Sequence, residues 1–164
     1  MGVLLVAGLA FGGKPKLPEY ASLKKVKTVS LAKGGVGAAK LEISVVKGFH
    51  VQSNPASLPN LIPTTLILEK LDGVTVEAPV YPVGKPHKLQ GTPGEVMAYD
   101  ETFEIKVPLS ASSEAKVGKQ TLMGKLRYQA CNEKTCFFPM TLPVAIPISI
   151  QKAIVTTGSQ GGPK

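Results

Sequence analysis

Short runs of alternating apolar and polar residues, broken at close intervals by glycine and proline and nowhere replaced by a capped helical period, predict an all-β chain. The expected arrangement is an antiparallel, immunoglobulin-like β-sandwich. The 17 glycines and 14 prolines among 164 residues punctuate the chain too often for a helical bundle. A hydrophobic fraction of 43% with mean hydropathy +0.14 fits a globular chain rather than a disordered one. The length suits one domain with a sizeable core.

Taken in order, Val3 to Phe11 is apolar, too short to span a bilayer, and followed by the small-x-small pattern Ala10-Phe11-Gly12. It reads as a signal-peptide core, so residues 1–13 are expected to be a leader and the protein periplasmic or otherwise exported. Leu41, Ile43 and Val45 alternate with Lys40, Glu42 and Ser44, a strand with one wet face that Gly48 ends. A proline-punctuated loop leads to a strand over Leu61 to Glu69, entered through Pro63; a turn at Leu71 to Val74 precedes a short strand to Val80. Tyr81 to Glu95 has no period and reads as a long surface loop, of the length that is usually functional. Phe103, Ile105, Val107 and Leu109 form the next strand, and Ser110 to Lys119 a polar connection. Leu122, Leu126 and Tyr128, then Leu142 to Ile150, make a final hairpin, with Pro143 and Pro147 suggesting an edge strand. Thr156 to Lys164 is a Gly-rich tail expected to be disordered.

The formal charge is +8, but it is scattered lysine with Arg127 as the sole arginine, and aromatic residues are 5% of the chain without tryptophan. A nucleic-acid surface would cluster its basic residues and interleave aromatics for stacking, so no nucleic-acid partner is expected.

The chemistry is expected at Cys131 and Cys136, the only cysteines, set between the two strands of the last hairpin in Tyr128-Gln129-Ala130-Cys131-Asn132-Glu133-Lys134-Thr135-Cys136-Phe137-Phe138-Pro139. Their spacing rules out an immunoglobulin-type bridge between sheets and is too long for a Cys-x-x-Cys helix-start motif. Closing so short a loop stabilises by only about 2 kcal/mol in the chain-entropy model, little for a staple. A short exposed loop is a place where thiol–disulfide exchange can occur, since exchange needs an accessible sulfur and a resolving thiol beside it. The spacing alone leaves a structural bridge and a redox-active one both open. Two thiolates fill half a zinc shell and neither His50 nor His87 has finger-like spacing, so no metal or other cofactor is expected. A copper-binding sandwich using His50, His87, Met97, Met140 and the thiols remains an alternative, as does a scaffolding domain with a structural bridge. Ser53 and His50 make no triad, because no acidic residue is placed to orient the imidazole. His50 and Asn54 are expected to anchor a loop, and Tyr128 to be a core ring whose hydroxyl finds a partner near the site.

The Tyr-Gln-Ala-Cys run, with Gly48-x-His50, Ser53-Asn54-Pro55, Ile62-Pro63-Thr64, Tyr81-Pro82 and Tyr99 upstream, resembles the N-terminal periplasmic domain family of the thiol:disulfide interchange protein DsbD. The resemblance covers about Lys24 to Gln151, leaving 152–164 as a tail. It implies a thiol–disulfide oxidoreductase of the protein-disulfide reductase type, in which the pair passes electrons from a membrane-embedded thiol reductant to thioredoxin-like periplasmic proteins. Cytochrome c biogenesis is the associated process. By position Cys136 would form the mixed disulfide and Cys131 resolve it, with Tyr128, Gln129, Phe137, Phe138, Pro139, His50 and Asn54 in support. A cap loop would lie between His87 and Tyr99, with Leu89, Met97 or Tyr99 as its shielding side chain. No apolar span follows Gln151, so the electron donor is expected to be a separate protein or a further part of a longer one.

Overall fold

The computed structural model describes residues 19–153 and contains no helix there. The leader expected at 1–13 and the tail beyond 153 lie outside the described residues.

The first strand, β1 (Ala21–Leu23), pairs antiparallel with β3 (Val36–Val45), whereas β2 (Val29–Ala32) between them belongs to the opposite sheet. After β3 the chain turns at Gly48, whose φ of 87° lies where a side chain is disfavoured, and enters β4 (His50–Gln52). Next come β5 (Thr65–Leu68), β6 (Val74–Val76), β7 (Lys85–Lys88), β8 (Glu95–Tyr99) and β9 (Thr102–Ala111). The last three are β10 (Gly118–Tyr128), β11 (Ala130–Cys131) and β12 (Met140–Gln151).

Two four-stranded sheets, β1-β3-β9-β6 and β2-β12-β10-β5, face each other as the sandwich, as the alternating runs predict. The buried positions of β9 are Phe103, Ile105, Val107, Leu109 and Ala111, and those of β12 are Val144, Ile146, Ile148 and Ile150, each set two residues apart so that one face of the strand enters the core. One pairing departs from antiparallel: β2 runs parallel to β12 over Val29–Ala32, because the chain crosses from one sheet to the other between β1 and β2. That pairing also corrects the reading of β12 as an edge. β12 is open on the side away from β10 only up to Pro147, the half that carries both prolines, and β2 covers the rest.

A third sheet, β11-β4-β8-β7, is absent from the sequence reading. The stretch from Tyr81 to Glu95 is not a plain loop, since its Lys85–Lys88 segment pairs with Glu95–Ala98 to make a hairpin closed by 89–94. Lys-Pro-His-Lys carries no apolar alternation to betray a strand, and its proline is tolerated because β7 is the sheet's outer strand. Gly84 lets this hairpin seat closely: a Cβ there would meet the Ser53 Cβ at 2.9 Å and the Ala98 nitrogen at 3.0 Å.

Candidate functional site

The cysteines do not sit in the turn of the β10–β12 hairpin itself. Those strands pair as far as Tyr128 with Met140, and the chain between them leaves as a small hairpin whose first arm, β11, joins the third sheet beside β4. Cys131 and Cys136 face each other across it and are disulfide-bonded, with Cα atoms 4.0 Å apart. The flanking bonds, Phe137 N–H to the Ala130 carbonyl (2.8 Å) and Asn132 N–H to the Thr135 carbonyl (2.9 Å), make theirs a non-hydrogen-bonded pair. That is the antiparallel site where facing side chains come closest. The Asn132 Oδ1 accepts from the Lys134 and Thr135 amides, both at 2.9 Å, which folds the four-residue turn.

The two sulfurs have unequal surroundings. Cys131 is fully buried, at 0% exposure, with Leu61, Leu89 and Val96, while Cys136 is half-buried at the edge of that cluster. Beyond Cys136, Phe137 joins a three-ring cluster with Tyr20 and Phe49, and Phe138 is 91% exposed. Pro139 is exposed as well.

Supporting residues fall into place around the pair. The Gln129 side chain braces the small hairpin from within, its Oε1 accepting from the Ile62 amide (2.9 Å) and its Nε2 donating to the Phe137 carbonyl (3.2 Å). Tyr128 is a core ring, and its hydroxyl donates to the Met140 Sδ at 3.9 Å. Asn54 anchors a loop: its amide donates to the Tyr99 hydroxyl and its Nδ2 to the Thr64 carbonyl, both at 2.9 Å. Of the three side chains considered for the cap, Leu89 alone packs in the cysteine cluster. Tyr99 lies in the sandwich core, stacked on Phe103 at 4.4 Å, and Met97 presents its amide to the Ser57 Oγ. The 89–94 turn is pinned to the cysteine hairpin through the Gln90 amide and the Glu133 carbonyl, 3.0 Å apart.

His50 stands directly opposite Cys131 in the β4–β11 register, so the two side chains leave the same face of the sheet. It is buried and stacks on His87 at 4.5 Å between ring centres. Burial, with His87 adding to it and Asp100 opposing, lowers the His50 pKa to about 4, so the ring is neutral at neutral pH. Lys85 pairs with Asp100 at 2.8 Å and holds that carboxyl below the usual range. Two open grooves of about 570 and 600 Å³ meet at the histidine pair, the first reaching Phe49 and Asp100 and the second Leu89 and Gln90. Among the described residues, no group of three His, Cys, Asp or Glu side chains is placed to hold a metal ion, and Met140 meets Tyr128 rather than the histidines.

Gln52 escaped the sequence reading. Its Nε2 donates to the Cys131 Sγ at 3.1 Å in a fully buried position. A glutamine two residues beyond His50 on one strand face was the available signal, visible only once the strand itself is known.

The family described as "Thiol:disulfide interchange protein DsbD, N-terminal" matches residues 19–147. The chain belongs to this family, and its bridged cysteine pair makes it a thiol–disulfide exchange module. A search of curated proteins finds no match. Among solved structures, the chain is similar to the reduced N-terminal domain of Neisseria meningitidis DsbD (15% identity, 66% of this chain and 75% of that one, TM-score 0.44). It is also similar to the N-terminal periplasmic domain of ScsB from Proteus mirabilis (12% identity, 79% and 44% covered, TM-score 0.47). A type I cohesin from Pseudobacteroides cellulosolvens shares the fold (9% identity, 82% and 94% covered, TM-score 0.53). Among the described residues no helix is long and apolar enough to cross a membrane.

Proposed function

We propose that this member of the DsbD N-terminal family carries reducing equivalents in the periplasm, from a membrane-embedded thiol reductant to thioredoxin-like proteins, through Cys131 and Cys136. The working unit is the sandwich of residues 24–151, exported behind a leader at 1–13 and followed by a tail at 152–164.

In the loading step a donor thiolate attacks the Cys136 sulfur, a mixed disulfide forms, and Cys131 leaves as a thiolate. The donor's second thiol then displaces Cys136, so the donor ends oxidised and this chain holds two thiols. In delivery, the Cys136 thiolate attacks the partner's disulfide and expels one partner thiolate. Cys131 then attacks the Cys136 sulfur, restores the internal bridge and expels the second, with protons exchanged through solvent.

The observation that carries this assignment is the unequal burial of the pair. A macromolecular disulfide reaches Cys136, beside the projecting Phe138, but not Cys131, which lies under Leu89. Resolution needs no access from outside, since the small hairpin holds the two cysteines close enough to bond, with Cα atoms 4.0 Å apart. His50 and Asn54 serve as framework for the loop, and Leu89 as the shield.

Replacement of single cysteines tests the roles. Cys131→Ala should accumulate a mixed disulfide with a thioredoxin-like protein, seen as a reducible band of summed mass, and Cys136→Ala should accumulate far less. Equal accumulation by both variants removes the division of roles. No accumulation by either, with a bridge that a thioredoxin-like reductant cannot open, removes the exchange reading.

A further inference from the structure

Opening the bridge leaves a negative charge on Cys131, whichever direction the electrons travel, and Cys131 has no exposure through which water could solvate it. A thiolate in an apolar cluster of Leu61, Leu89 and Val96 is disfavoured unless the protein supplies a donor. The groups facing it are few. His50 is opposite but neutral, and His87 is stacked on the far side of that ring. Lys85 is engaged by Asp100, and Glu133 on the adjoining turn is itself an anion.

We propose that Gln52 is a catalytic residue of the exchange reaction, its side-chain N–H holding the charge that collects on the Cys131 Sγ each time the bridge opens. The inference rests on the reading of Cys131 and Cys136 as the exchanging pair. The amide lies 3.1 Å from the reacting sulfur. A disulfide sulfur has no proton to give, so the end of the amide that faces it is the donor. The residue is fixed before the reaction. Its carbonyl accepts from both the Thr64 amide (3.2 Å) and the Thr64 Oγ1 (2.6 Å), and its own amide donates to the Gln129 carbonyl (3.2 Å). Its Oε1 is buried without a hydrogen-bond partner among the described residues. A buried amide oxygen left unpaired is costly, so a glutamine is not the residue that stability alone would select at this position.

In the loading step the electron pair of the breaking S–S bond goes to the Cys131 Sγ, and the contact from Gln52 changes from a weak bond to a neutral sulfur into a charge-assisted one. In resolution the same donor holds Cys131 as the thiolate that attacks. No further co-reactant is involved beyond the donor's dithiol and the acceptor's disulfide.

The test uses a Cys136→Ser background, in which Cys131 is the only thiol, and follows thiolate absorbance against pH. Gln52→Leu removes the donor and also the unpaired oxygen. We expect the Cys131 titration midpoint to rise by about one unit, a tenfold loss of thiolate at a given pH, with thermal stability retained or raised. Gln52→Met, measured alongside, keeps the chain length and also removes the donor, so a folding failure of either variant leaves the other to decide. Gln52→Glu should raise the midpoint further. In the two-cysteine protein, Gln52→Leu should slow release of a thioredoxin-like partner from the mixed disulfide about tenfold, and raising pH should restore the rate. An unchanged midpoint in the folded Leu and Met variants overturns the proposal even where exchange itself is intact. Failure of the unmodified protein to exchange at all, with the midpoint shifted as expected, would instead count against the exchange reading.

Discussion

Leu89→Ala is the sharpest probe of how the fold protects its reactive pair. The Leu89 side chain, 9% exposed, packs in the buried cluster with Cys131 from the start of the 89–94 turn. Truncation removes three buried carbons, each worth about 0.8 kcal/mol, so closure is weakened by about 2.4 kcal/mol. At 1.4 kcal/mol per tenfold this raises the open population about 50-fold. The Gln90-to-Glu133 backbone bond survives the substitution, so the hairpin tip is loosened rather than lost. The assay is alkylation in single-cysteine variants, where labelling of a buried thiol follows the open population when reclosure is fast. In a Cys136→Ala background, Leu89→Ala should accelerate labelling of Cys131 about 50-fold. In a Cys131→Ala background it should change labelling of the half-buried Cys136 only slightly. A change under about threefold at Cys131, or equal acceleration of both thiols, would refute the assignment of Leu89 as the shield of the inner sulfur.

Reduction of the bridge should leave the sandwich folded, because closing so short a loop contributes only about 2 kcal/mol. Calorimetry with and without dithiothreitol should show the melting temperature falling by roughly 5–10 °C, and loss of the cooperative transition would contradict it. His50 supplies a pH dependence. Its pKa is lowered from 6.5 to about 4 in the folded protein, so the unfolded chain binds the proton more readily. The stability His50 contributes is therefore complete above pH 6.5 and is lost as pH falls from 6.5 towards 4. The loss amounts to no more than about 3.4 kcal/mol. Denaturation by urea across that range should show the slope, and His50→Gln should flatten it; an identical slope in the variant would remove the assignment.

The cysteine motif and the strands of the sandwich were legible because both are written locally. β3, β9, β10 and β12 bury every second residue against one continuous core, so Leu41, Phe103, Leu122 and Leu142 announce the period in their own neighbourhoods. The third sheet was not legible for the opposite reason. His50–Gln52 is buried at every position and Lys85–Lys88 at none, so neither alternates. Both are strands only through partners far off in sequence: Ala130 and Cys131 for one, Glu95 to Ala98 for the other.

The same division runs through the site. Residue types and spacing by themselves determined an all-β chain with two cysteines near enough to bridge, and the motif around them determined the family to which it is similar. Which sulfur is buried, that Leu89 rather than Tyr99 or Met97 packs with it, and that Gln52 lies against it were decided by the tertiary structure alone. Those properties come from the stacking of β11, β4, β8 and β7 edge to edge. Burial and hydrogen bonding depend on what lies across the sheet, and a linear pattern carries no record of a neighbour 79 residues away.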